Sequence, residues 1–262
     1  MVKRLAIGPG AMGFYMYLGA LSKLKNTGQL DELEEISGAS AGGLLGFMYC
    51  LLRGDVSKVL EYSLSVPVKQ LMKPNIKNFI KSYGLVPTSK IRDVLSEFCF
   101  NFTTKSDVTF KELYDLWPIK LHISGYCVDL MKTTYFSVDT APDMSVLDAV
   151  CATIAIPFLF SSLQIGEWNY IDGGAAETTP SGPFIGKEGV FAMRLGWTRI
   201  IKVKDILTYA LNVVYLSMKL RHEYAVPTLS MDSHEENVYD FGSSSETKLR
   251  MFVTGFSQQF SF

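Results

Sequence analysis

A chain of 262 residues is long enough to bury one sizeable α/β domain. Its formal net charge of -1 and the lack of any dense Lys/Arg block exclude nucleic acid as a partner. Apolar residues make up 48% and the mean hydropathy is +0.16, rich for a soluble protein, yet no run approaches the ~18 apolar residues a membrane span needs.

The stretch "KRLAIGPGAM" starts basic, but glycines and a proline interrupt it, so it does not read as a signal peptide. Within it "RLAIG" has the length of a buried strand. "FYMYLGALSKLKNTG" follows with helical spacing and Gly28 as its stop. "LEEIS" is a second short strand that leads into "GASAGG", and "AGGLLGFMYCLLRG" is a helix apolar all round, closed by Gly54. Residues 55–100 look helical in three stretches, "VSKVLEYSL", then "NIKNFIKSYG", then "SKIRDVLSEF" after Pro87. "IKLHISGYCVDL" and "TTYFSV" have strand-like density of β-branched and aromatic residues, "MSVLDAVCATIAIPFLF" reads as a helix halted at Pro157, and "WNYIDGG" is a strand running into a glycine turn. Residues 231–248 read as a polar loop before an aromatic tail. Alternating strands and helices predict a sheet covered by helices. The expected organisation is one main domain over residues 5–200, with residues 201–262 as a helical and aromatic extension packed on it. Cys50, Cys99, Cys127 and Cys151 have no CxxC or metal spacing and read as buried thiols of an intracellular protein, cytoplasmic or peripheral on membranes.

Three short motifs carry chemistry. Strand, Gly38-Ala39-Ser40-Ala41-Gly42, helix is the order a nucleophile elbow requires, with the glycines allowing a tight turn and Ser40 at the positive end of the helix. The bland alternative is a serine N-cap. "GPGAMG" matches the dinucleotide fingerprint, and Asp31 lies near the right distance, but Asp31 precedes the second strand instead of closing it. A nucleotide site is therefore rejected in favour of a first loop whose backbone N–H groups face the pocket of Ser40. "NYIDGG" puts Asp172 at a strand end, with Gly173 and Gly174 leaving room for another group; alone it reads equally as an Asp-Gly turn. A histidine base is poorly served. His122 lies within a strand, His222 at a charged helix end and His234 in a polar loop. No metal-ligand cluster and no cofactor motif is found.

Taken in this order, "AIGPGAMGFYMYLGALSKL", "ISGASAGGLLG" and "YIDGGAAETTP" resemble the patatin-like phospholipase family. "SVLDAVCATIAIPFLFSSLQIGEWNYIDGG" and "TFKELYDLWPIKLHISGYCVDL" are similar to the family's pre-aspartate and central strand regions, so the resemblance covers residues 5 to about 185. It implies a three-layer α/β/α sandwich with a mostly parallel sheet, and hydrolysis of acyl esters of membrane lipids or glycerolipids by a Ser-Asp dyad. Ser40 falls on the nucleophile and Asp172 on the base. Gly8, Gly10, Ala11 and Gly13 fall on the oxyanion loop. The chain departs from the family pattern at Pro9, which has no N–H, and at Met12, where a basic residue is usual; Thr178 and Thr179 precede the closing Pro180. Acyl transfer to an alcohol, or a lipid- or partner-binding module with impaired catalysis, stay open as alternatives, as does the oligomeric state.

One further segment bears on the lipid. In "KPNIKNFIKSYG", Ile76, Phe79, Ile80 and Tyr83 share a helical face, while Lys73, Lys77 and Lys81 recur four apart on another. The expectation is an apolar face packed on the core and a solvated lysine face; a peripheral membrane contact or a lid is the alternative. The apolar stretches 206–220 and 249–262 are likewise expected to pack on the main domain.

Overall fold

The computed structural model describes residues 1–196, 209, 212, 225–233 and 236–260. In chain order the first half runs β1 (Arg4–Ile7), α1 (Phe14–Asn26), β2 (Glu35–Gly38), α2 (Ala41–Leu51), α3 (Val56–Ser65), α4 (Val68–Leu71), α5 (Ile76–Ser82), β3 (Gly84–Val86), α6 (Ser89–Thr103) and α7 (Phe110–Leu116). The second half runs β4 (Lys120–Cys127), β5 (Lys132–Phe136), α8 (Val146–Thr153), β6 (Phe158–Phe160), β7 (Leu163–Ile165), β8 (Trp168–Asp172), β9 (Val190–Gly196), β10 (Thr228–Asp232) and a closing helix, here α9 (Ser245–Phe256). A central sheet in the order β10-β9-β1-β2-β4-β8-β7, with β5 also on β4, is flanked by these helices. The neighbours from β10 to β4 are parallel, and β5, β8 and β7 join antiparallel, so the sheet is mostly parallel, as expected.

Strand alternation sorts the two faces. Leu5, Ile7, Ile36, Leu121 and Ile123 point into the main core with α1, α2 and α8, while Ala6, Phe184 and Ala192 form a smaller core on the other face. Helix α2 is buried except at Leu44, as a helix apolar all round must be. Gly28 takes φ +72 just past α1 and ends it. Helix α9 lies across α1 at two glycines. A Cβ on Gly19 would stand 2.0 Å from the Phe252 carbonyl oxygen, and one on Gly255 would stand 1.9 Å from that of Met16.

The three helical stretches expected within residues 55–100 are α3, α5 and α6. Between them the structure adds a strand: Tyr83 at φ +60 stops α5, and Gly84–Val86 pairs with β6, because Pro87 biases Val86 to extended backbone. Two local expectations change. Helix α8 stops at Thr153 instead of Pro157. Beyond it the Ala155 carbonyl accepts the Asp172 N–H (3.0 Å), and Pro157 disfavours a helical Ile156. Residues 231–248 are not loop throughout, since they include the end of β10 and the start of α9, where the Ser244 side chain accepts the Thr247 N–H.

Candidate active site

β1 and β2 are parallel neighbours in the register Ile7↔Gly38, so the loops that leave their C-terminal ends emerge side by side. The first carries Gly8 to Gly13 and the second carries Ser40. On the far side of β4, Asp172 pairs with Gly125, two residues beyond the Ile123↔Gly38 level. The motifs are pressed together through missing side chains. A Cβ on Gly42 would lie 2.1 Å from the Ile7 carbonyl oxygen, one on Gly38 2.5 Å from Gly42 backbone, and one on Gly174 2.5 Å from Pro9. One on Gly173 would meet Ser124 Oγ at 2.2 Å. These glycines are needed for close approach, not for unusual dihedrals. The left-handed backbone falls instead on Ala11 (φ +47) and on Ser40 itself (φ 54, ψ -123), a conformation that for non-glycine residues costs of order 1–3 kcal/mol.

Surrounding bonds hold that conformation. The Ser40 N–H donates to Thr153 Oγ1 (2.8 Å), the Ala39 N–H to the Ile7 carbonyl (3.1 Å), and the Ser40 carbonyl accepts from Leu44 (3.0 Å). The Ser40 hydroxyl then donates to Asp172 Oδ2 at 2.6 Å, while Asp172 Oδ1 accepts the Gly174 N–H at 2.7 Å. Both side chains are buried. Burial pushes the Asp172 carboxyl up to about 7, against the opposing pull of the Ser40 and Gly174 hydrogen bonds. A hydroxyl bonded to a carboxyl that titrates near neutrality can pass its proton to that carboxyl.

The first loop divides. The Gly8 N–H donates to the Met193 carbonyl (2.9 Å) and the Gly13 N–H to the Gly10 carbonyl (2.7 Å), so neither is free to bind a developing oxyanion. The amides of Gly10 and Ala11, and of Ala41 at the start of α2, make no hydrogen bond among the described residues. Tyr17 braces this loop, donating to the Pro9 carbonyl (2.9 Å) and accepting from the Leu195 N–H (3.0 Å). Neither Tyr17 nor Thr153 stands out in the sequence as a site residue. Thr153 had one signal, a hydroxyl at the end of a helix that is apolar after Asp148.

Ser40 and Ala11 border a cavity of about 170 Å³ walled by Tyr15, Leu44, Met48, Leu71, Met72 and Ile156. Met12 lines it too, which gives the missing basic residue a local reason: a cation there would face an apolar wall. A larger cavity of about 500 Å³ lies near the start of β1, bordered by Phe184, Lys187 and Val226, and includes neither Ser40 nor Asp172. His122 bonds neither Ser40 nor Asp172 and sits in a polar cluster. Its Nε2 lies 2.9 Å from Glu35, which also bonds Arg4 and Lys187. Burial lowers the His122 pKa although Glu35 opposes this, while Glu35, despite its burial, is held below the ordinary carboxyl value by Lys187, His122 and Arg4. His222 and His234 lie outside the described residues. Among the described residues no cluster of His, Cys, Asp and Glu could hold a metal.

Comparison with known proteins bears on the family and the fold. The sequence pattern described as Patatin-like phospholipase matches residues 5–185. "Probable lipid hydrolase 463L" of Invertebrate iridescent virus 6 is 25% identical over 183 residues, which cover 68% of this chain and 61% of that protein. The crystal structure of VipD from Legionella pneumophila superposes with a TM-score of 0.66 at 15% identity, covering 98% of this chain and 66% of VipD. The chain thus spans somewhat under two thirds of either relative, and its fold is similar to that of the matched part of VipD. With the pattern matched over more than half its length, this chain belongs to the patatin-like phospholipase family.

Proposed function

We propose that the chain is a serine acyl hydrolase that cleaves carboxylic esters of lipids, a phospholipase A-type reaction. The observation that carries this is the 2.6 Å bond between buried Ser40 and Asp172 at the edge of an apolar cavity. Ionised Asp172 accepts the Ser40 proton as Oγ attacks the ester carbonyl. The negative charge that develops on the carbonyl oxygen is met by the unspent amides of Gly10, Ala11 and Ala41. Collapse of the tetrahedral species breaks the bond to the alkoxy group, which leaves as an alcohol with the proton from Asp172. Water, deprotonated by Asp172, then releases the fatty acid from Ser40. The apolar cavity suits the acyl chain, and the family match and the name of the viral relative point to the same substrate class.

The test is acyl release from a short-chain nitrophenyl ester and from mixed phospholipid vesicles. Ser40→Ala and Asp172→Asn are each expected to cut kcat/KM by at least about a thousandfold with the fold retained. An inert wild type that is folded, or a Ser40→Ala variant that still turns over, would overturn the reading.

A further inference from the structure

Helix α5 is built the wrong way round for a helix that packs on a core. Its polar residues hold it to the protein: Asn78 Nδ2 donates to the Gly84 carbonyl (2.6 Å) and to Ser161 Oγ (2.8 Å), and Ser82 Oγ lies 3.1 Å from Ser161 Oγ. Its apolar residues face water. Ile76 is 73% exposed, Ile80 77% and Tyr83 72%, with Phe79 and Phe158 of the adjoining β6 also exposed. The expected packing of this face on the core is therefore absent. An apolar cluster left open at this density marks a contact surface.

Charge identifies the contact. From Tyr62 to Arg92 the sequence holds six basic residues and no Asp or Glu, in a chain whose net charge is -1. Lys73, Lys77 and Lys81 recur four apart beside the apolar face; they are exposed and make no ion pair among the described residues. Protein interfaces are depleted in lysine, whereas a bilayer accepts apolar side chains among its acyl chains and lysine ammonium groups among its anionic headgroups. The patch also continues into the cavity beside Ser40. Leu71 and Met72 wall that cavity just before Lys73, and Phe160 of β6 walls it two residues after Phe158.

We infer that α5 with Tyr83 and Phe158 is a docking surface for an anionic phospholipid bilayer, which sets the cavity mouth against the lipid. The inference deepens the lipid-hydrolase reading and rests on it for the choice of a bilayer as the occupant. Its test needs no turnover, so the two can fail separately. Ser40→Ala protein is sedimented with vesicles of phosphatidylcholine alone and with about 30% phosphatidylserine. The unsubstituted surface should bind the anionic vesicles more tightly. Adding Ile76→Ser and Ile80→Ser should weaken binding to them at least about tenfold. Adding Lys77→Gln and Lys81→Gln should remove most of the preference for phosphatidylserine, a loss of about tenfold. All four positions are exposed, so melting temperatures should hold; if the isoleucine pair melts early, the lysine pair decides alone. Undiminished binding by the variants, or no binding by the unsubstituted surface to either vesicle, would overturn the inference. So would a dimer in light scattering that the isoleucine changes dissociate, which would assign the patch to a second copy.

Discussion

Asp172 ionises near 3.8 when free and at about 7 in the fold, because burial penalises its charge. Between those values the folded state holds a proton that the unfolded chain has lost, so this group makes stability fall as pH rises through the window and adds no further slope above it. On the proposed mechanism only the ionised form accepts the serine proton, so activity has the opposite slope: kcat/KM should climb tenfold per pH unit below about 7 and level off above it. Asp172→Asn separates the two. It should be inactive at every pH and more stable than wild type, with a gain in urea unfolding larger at pH 8 than at pH 5.5 by about 2 kcal/mol. Thr153 acts one bond further out, on the Ser40 amide. Thr153→Val leaves that buried N–H unmet and should cost about 1–3 kcal/mol of stability. It should lower kcat by about tenfold or more with KM little changed, and Thr153→Ser should restore most of it. The pairing of Ser40 with Asp172 was legible in the sequence only through the resemblance, since each motif alone has a commoner explanation. The acceptor of the Ser40 amide was not legible: Thr153 is 113 residues away, and only folding shows which hydroxyl arrives.

At the scale of elements, what could be read was what local pattern dictates. β1, α1, β2 and α2 lie close to where their apolar runs and glycine stops put them. β3, β6 and β7 are three residues each, too short for a period to show, and β3 and β6 pair with each other across a long stretch of chain. The early end of α8 is in part of the same character, since beyond it the Ala155 carbonyl accepts the N–H of Asp172 from another strand, while Pro157 disfavours a helical Ile156. Packing of α9 on α1 was expected for an apolar tail, but the means is specific. Gly19 and Gly255 each sit against the other helix's backbone, so any side chain pushes the axes apart. Gly255→Ala should therefore lower the urea midpoint by the equivalent of about 2–4 kcal/mol, far beyond the small gain that alanine normally brings to a helix.

At the scale of the molecule, the sheet keeps two chemistries apart. Its strand starts carry the ion-paired cluster of Arg4, Glu35, His122 and Lys187, and the C-terminal ends of β1 and β2 open onto an apolar cavity. The four cysteines are buried and unpaired, so they serve as packing groups, with burial raising the thiols of Cys50, Cys99 and Cys151. Among the described residues no helix is long and apolar enough to cross a membrane, which leaves the exposed face of α5 as the conspicuous apolar surface beside the cavity.

The contact of backbone on backbone at Gly38 and Gly42 has a thermodynamic consequence. Groups without side chains have no rotamers to freeze, so the clasp around Ser40 loses no side-chain entropy when a substrate settles against it. The disorder that must be surrendered to build the site is surrendered once, during folding, where glycine loses more backbone freedom than any other residue. The molecule accepts a less stable fold in return for a Ser40 hydroxyl already held against Asp172.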